Sequence, residues 1–143
     1  MKDIDKPDLQ NIGNAGEYLM ASVLSSYGFT TTITLGRAEA YDLIAISPKG
    51  KTIKLQVKTS WYKIPTWRMG DKNEEQVAKD FFYAFVRLNE RKENPEFWIV
   101  PSEIVAPLIK KRHTLWLSTL GKKGQAHNDN PGRMFSVEKD KYF

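Results

Sequence analysis

The stretch Thr52-Ile53-Lys54-Leu55-Gln56-Val57-Lys58-Thr59-Ser60 restricts the fold more than any other part of this chain. Successive side chains of a β-strand take opposite faces, so Ile53, Leu55 and Val57 point one way and Lys54, Gln56 and Lys58 the other. The run before it, Tyr41-Asp42-Leu43-Ile44-Ala45-Ile46, is also rich in residues that suit a pleated sheet. Between the two lies Ser47-Pro48-Lys49-Gly50-Lys51, where Pro and Gly supply turn dihedrals. The two runs therefore predict a hairpin, with an amide oxygen and an ammonium group side by side on its polar face and Asp42 near the start of its first strand.

Upstream, Asn11 or Asn14 caps a predicted helix that runs to Tyr27 and stops at Gly28. Ile12, Gly16, Leu19, Met20, Val23, Leu24 and Tyr27 share one arc of its wheel. Glu17 lies at the rim of that arc, roughly 20° beyond Leu24 at about 100° per residue. A carboxylate there can reach into a cleft while its helix packs on a sheet. It can equally serve as a dipole partner in a first helical turn. Residues 29–35, rich in Thr and Ile, read as a first strand, and 36–41 as a loop entering Asp42.

Downstream, Trp61-Tyr62-Lys63-Ile64-Pro65-Thr66-Trp67-Arg68 interleaves aromatics with cations. Such a mixture either stacks on bases while neutralising phosphates, or closes over a sheet edge or meets a second subunit, which would make the chain a homodimer. Residues 69–80 read as a loop or short helix. The nearly continuous apolar run 81–88 reads as a central strand covered on both faces, and 97–101 as a further strand after a charged connection. A helix over 102–112 has Ser102 as its cap, and Lys110, Lys111 and Arg112 suit its C-terminus through the macrodipole. In the basic, loop-rich tail 121–143, Gly121-Lys122-Lys123-Gly124 offers backbone amides and ammonium groups to a phosphate, and His127 with Asp129 is a weak metal pair.

Composition narrows the function classes. The chain has 143 residues, which suits one domain, 1–143, with a loose N-terminal segment over 1–10. It has no Cys, which excludes disulfides, zinc–thiolate sites and a thiol nucleophile. No apolar run approaches a membrane span and the N-terminus lacks the apolar core of a signal peptide, so a cytoplasmic location and no membrane partner are expected. The formal charge is +5. Residues 1–106 carry 14 Lys/Arg and 14 Asp/Glu, and 107–143 carry 8 and 3, so the excess sits in the last quarter. Between Asp42 and Asp71 there is no carboxylate, only Lys49, Lys51, Lys54, Lys58, Lys63 and Arg68. Such a face is either an ordinary solvated one or a surface for a polyanion.

Asp42 followed by Gln56-Val57-Lys58 on the next strand resembles the core of the PD-(D/E)XK nuclease superfamily, whose signature is a strand Asp and then (D/E)-x-K. The order of a helix-borne Glu, here Glu17 in Gly16-Glu17-Tyr18, before that pair is similar to archaeal Holliday-junction resolvases and related small nucleases. The resemblance covers about residues 13–60, and Gln56 departs from the acidic pattern, as some members of the superfamily do. It implies an α/β fold with a restriction-endonuclease-like core, a mixed central sheet of about four to five strands flanked by helices. It implies a Mg²⁺- or Mn²⁺-dependent endonuclease acting on DNA. Asp42, Gln56, Glu17 and the Val57 carbonyl would arrange the metal, and Lys58 would assist the attacking water. Arg37, Lys63, Arg68, Lys122 and Lys123 are the expected phosphate contacts. The alternative function is a catalytically silent module of the same fold that binds nucleic acid or protein and has let the acidic ligand go.

Overall fold

The computed structural model describes residues 5–35 and 41–137. Their elements are α1 (Leu9–Ser26), β1 (Thr30–Ile33), β2 (Leu43–Ile46), β3 (Thr52–Ser60), β4 (Thr66–Gly70), β5 (Phe81–Arg87), β6 (Glu96–Pro101), α2 (Ser102–Ser118) and β7 (Gly132–Ser136), with short 3-10 turns at Asp71–Glu74 and Asn89–Arg91. Contacts divide the chain into two compact units, Met1–Ile64 with Asp80–Pro101, and Pro65–Lys79 with Ser102–Phe143. No helix among the described residues is long and apolar enough to cross a membrane.

The first unit is a five-stranded mixed sheet in the order β1-β2-β3-β5-β6 with α1 packed on it. The predicted hairpin is present: β2 pairs antiparallel with β3, setting Leu43 opposite Leu55 and Ile46 opposite Thr52. Its turn closes through Ser47 N–H to the Lys51 carbonyl at 2.8 Å, and Gly50 takes the left-handed φ of 81° that glycine tolerates. β3 lies at the middle of the sheet because β5 pairs parallel to its other edge. On the face toward α1, Met20, Leu24, Leu43, Ala45, Leu55, Ala84 and Val86 form a buried cluster, with Ile53 and Val57 packed against it. Removing the Leu55 side chain to Ala would cost about 2–5 kcal/mol in such a setting. β5 is almost wholly buried, as its apolar run predicts, and Tyr83 and Phe85 stack at 5.9 Å. At the end of β5, Asn89, Glu90 and Arg91 form a left-handed turn with φ of 52°, 54° and 60°. Asn89 steadies it by donating to the Asn94 carbonyl and to Glu96, at 2.7 and 2.9 Å.

The predicted start of α1 shifts. The cap is Asp8, whose Oδ1 accepts from Asn11 N–H at 2.8 Å, so the helix begins one turn before Asn11 predicts and Glu17 is not in its first turn. The dipole explanation of Glu17 therefore falls away, since that effect fades beyond the first turn. Gly28 does end the helix, at φ 84°.

The second unit contains the antiparallel pair β4–β7, with Trp67 opposite Phe135 and Arg68 opposite Met134. Helix α2 packs on β7. β4 and β7 were not expected as strands. α2 extends to Ser118, which puts Lys110, Lys111 and Arg112 in mid-helix and removes the macrodipole account of them. Pro107 sits within α2 and ends no helix.

Gly16 fixes how near α1 lies to β3. A Cβ there would collide with Oγ1 of Thr59. Gly16→Ala is therefore expected to lower stability: crowding of about 1–3 kcal/mol outweighs the roughly 1 kcal/mol of helix propensity that alanine adds. Thermal unfolding should show a lower Tm for Gly16→Ala, partly restored by adding Thr59→Ala. A Gly16→Ala chain as stable as the parent would remove the close approach as a constraint.

Candidate active site

Asp42 sits one residue before β2, where the hairpin opens. Its backbone N–H donates to the Leu55 carbonyl at 2.7 Å, and its own side chain accepts from Val57 N–H, also at 2.7 Å. A carboxylate thus takes the place of a backbone acceptor in the ladder. The chain can diverge from the ladder before Asp42 without orphaning the Val57 donor. Thr34 ties the other side, its Oγ1 donating to the Tyr41 and Asp42 carbonyls at 3.0 and 3.2 Å.

Glu17 and Lys58 converge on Asp42. Burial raises the Asp42 carboxyl above the ordinary aspartate range, against the opposing pull of the Val57 hydrogen bond and the Lys58 charge. Glu17 is also raised, first by burial and then by the negative charge of Asp42. Lys58 is pushed down by burial, with Asp42 acting in the opposite sense. Three ionisable groups from α1, the β2 entry and β3 thus share one partly desolvated place, each displaced toward its neutral form. Such shifts are unusual for solvent-facing groups and common where chemistry is done.

Gln56 lies next to Lys58 in β3 with a residue between, level with Tyr83 of β5, and it is partly buried. Among the described residues no three His, Cys, Asp or Glu side chains gather in a way that could hold a metal. Glu17 and Asp42 are therefore a two-carboxylate pair whose third side-chain oxygen, if one is used, is an amide. A hard divalent cation accepts such a set, since it needs one or two carboxylates and keeps several waters. The mutual repulsion of Glu17 and Asp42 is relieved by a cation, so the donor set fits one.

The other expected contacts are scattered. Lys63 is exposed and paired to Glu93 at 2.7 Å, an arrangement worth about 0–1 kcal/mol and easily exchanged for a phosphate. Lys122 and Lys123 are exposed in the second unit. The amides around them are spent internally: Gly121 N–H donates to the Gln125 carbonyl, Gly124 N–H to the Gly121 carbonyl, and Lys123 N–H to Gln125 Oε1. Gly121–Gly124 is thus a closed turn, and the expected amide cradle is absent. His127 stacks on Trp116 at 4.1 Å and Asp129 bonds His113 at 2.7 Å, so the two do not form a metal pair. Arg37 lies outside the described residues. Trp61 and Trp67 are 5% and 3% exposed, which removes them as stacking platforms for bases. Arg68 lines a cavity in the second unit, together with Arg112 and Arg133, which sequence reasoning did not single out.

No protein-family model matches the chain, and no curated protein matches it in sequence. Among solved structures it is similar to the Holliday junction resolvase Hjc of the archaeal hyperthermophile Archaeoglobus fulgidus, with a TM-score of 0.54 and 11% identity over 92% of this chain and 97% of the resolvase. It is also similar to a bacterial homing endonuclease, with a TM-score of 0.49 and 17% identity over 69% of each chain. With its mixed five-stranded sheet and helices, the chain has an α/β, restriction-endonuclease-like fold, as the likeness to the resolvase shows.

Proposed function

We propose that this chain is a metal-dependent nuclease that hydrolyses phosphodiester bonds in DNA. The observation that supports this most is the meeting of Glu17, Asp42 and Lys58 at the open end of the β2–β3 hairpin, with all three protonation equilibria displaced. Glu17, Asp42, the Gln56 amide oxygen and the Val57 carbonyl would hold Mg²⁺ or Mn²⁺. Once bound, the ion would neutralise phosphate charge and acidify a water molecule. The residues do the rest. Val57 N–H keeps the Asp42 carboxylate in one rotamer. Lys58, biased by burial toward giving up its proton, orients the attacking water and can accept its proton, or stabilises the charge that grows on the phosphate. Lys63, Lys122 and Lys123 would hold the polyanion by contacts that carry no sequence information.

Incubation of supercoiled, linear, single-stranded and branched DNA with the chain and Mn²⁺ should give cleavage, lost in Asp42→Ala. Lys58→Ala should keep metal affinity, read by calorimetry, and lose most of the rate. Gln56→Glu should hold metal at least as tightly as the parent, and Gln56→Ala less tightly. Metal binding with no cleavage of any DNA form would favour the silent module. Failure of the parent to bind metal would end the nuclease reading.

The Glu17 carboxylate gives a prediction that needs no substrate. Its folded-state pKa is above its unfolded one, so in the metal-free protein the charged form opposes folding above the folded pKa, and the penalty vanishes as the pH falls below the unfolded value of about 4.3. Glu17→Gln should therefore raise the Tm of the metal-free protein near pH 7 and leave it little changed near pH 4. With millimolar Mg²⁺ at pH 7 the advantage should shrink or reverse, because only the parent carries the second charged ligand. A Tm lowered by Glu17→Gln in chelator at pH 7 would contradict the desolvated pair.

A further inference from the structure

The second unit contains a cavity of about 640 Å³ that the hydrolytic chemistry does not use. Its lining is of two kinds. Trp116, Pro131 and Met134 give it an apolar wall, and Arg68, Arg112 and Arg133 are also among its lining residues. No carboxylate is among the lining residues.

The wall is built by the fold. Arg68 and Met134 face each other across the β4–β7 ladder, while Arg112, His113 and Trp116 come from the last two turns of α2. The loop before β7 is fastened by Asp71 N–H to the Pro131 carbonyl at 2.8 Å and by Gly132 N–H to Asn130 Oδ1 at 2.9 Å. Trp116 is kept in place by His127 at 4.1 Å and His113 at 5.5 Å between ring centres. The three arginines are not equivalent. Arg133 is bound to Glu74 and to the Asn130 carbonyl, and Arg112 donates to the Met134 carbonyl at 3.2 Å. Arg68 is exposed, and among the described residues its side chain makes no ion pair or hydrogen bond.

An apolar and aromatic wall beside guanidinium groups suits a ligand with a flat apolar body and an anionic group. The volume is that of a site for one small unit, which lies at roughly 300–1,000 Å³. The surrounding unit is positive, with 11 Lys/Arg against 7 Asp/Glu over residues 65–79 and 102–143. A base buried in a duplex stack shows no free face to a concave wall, whereas an unpaired one does. We propose that this cavity binds one unpaired nucleotide, its base against Trp116 and Met134 and its phosphate on Arg68, with Arg112 in support. The inference does not depend on cleavage at Asp42.

The full chain, kept in chelator, has four tryptophans whose indole N–H signals can be followed by NMR. The Trp116 signal is identified by its loss in Trp116→Phe. Thymidine monophosphate and a thymidine tetranucleotide should each shift that signal selectively, while inorganic phosphate at the same concentration should not. Arg68→Ala, a change on an exposed strand position, should weaken both by roughly tenfold, the effect of losing one contact to a charged group. Tighter binding of the tetranucleotide than of the monophosphate assigns the site to a strand, and the reverse order assigns it to a free nucleotide. Three results would overturn the proposal: no selective shift at Trp116, an equal shift with phosphate alone, or equal binding of a blunt duplex at this signal.

Discussion

The hydrogen bond from Val57 N–H to the Asp42 carboxylate, at 2.7 Å, joins the fold to its candidate site. Backbone donors inside a sheet must be satisfied, and in a regular ladder the acceptor is another backbone carbonyl. Here the acceptor is a side chain, so the same bond that completes the sheet fixes the direction of a carboxylate. The Leu43–Leu55 register makes this possible by bringing Asp42 N–H onto the Leu55 carbonyl. A one-residue slip would turn Leu43 and Leu55 out of the core and carry Asp42 away from Val57 together. The buried leucines therefore hold the acid where it is.

The helix contributes in the same way. Gly16, by lacking a side chain, lets α1 settle against Thr59, and the next residue, Glu17, comes into the field of Asp42. Helical packing alone would favour alanine at a buried helical position, so the glycine is explained by the contact with Thr59 and the reach that it gives Glu17. The outcome is a small region where burial disfavours charge and only one of the three groups is a cation. Folding is supported by the apolar cluster beneath, while the charged site works against it. Such a conflict between local and global preference is expected where a chain performs chemistry.

Much of the first unit was legible in the sequence. β3 runs over the nine residues that alternation indicates, and the Pro-Gly turn lies where its residues require. These signals are local: a period of two, turn dihedrals and a terminating glycine. The start of α1 was harder, because Asp8 and Asn11 are both good caps and only the hydrogen bond chooses between them. β4 and β7 escaped because each is five residues long and reads as a strand mainly through its partner, 65 or so residues away. The inward Trp67 and Met69 with outward Arg68 did carry the alternation, hidden by the mixed aromatic and basic character of the segment. For α2, a run of three basic residues imitated a helix end. The cavity with Arg112 and Arg133 could not be read at all, since it is assembled from three separate segments.

Gln56 can be judged by the same accounting of charge. Glu17 and Asp42 already raise one another's energy in the absence of a cation, and Lys58 offsets only one of them. A third carboxylate in β3 would add a second uncompensated negative charge to a place where burial already disfavours the first. An amide oxygen keeps a hard donor at that position without the added repulsion, so the metal-free fold is less strained while the attraction for a cation is weaker. In the proposed metal site, an amide rather than a carboxylate at this position would move the balance from metal affinity toward stability, and would raise the share of the attraction that Asp42 and Glu17 must supply. That distribution gives the close approach at Gly16 more weight than it would have in a site with its own second strand carboxylate.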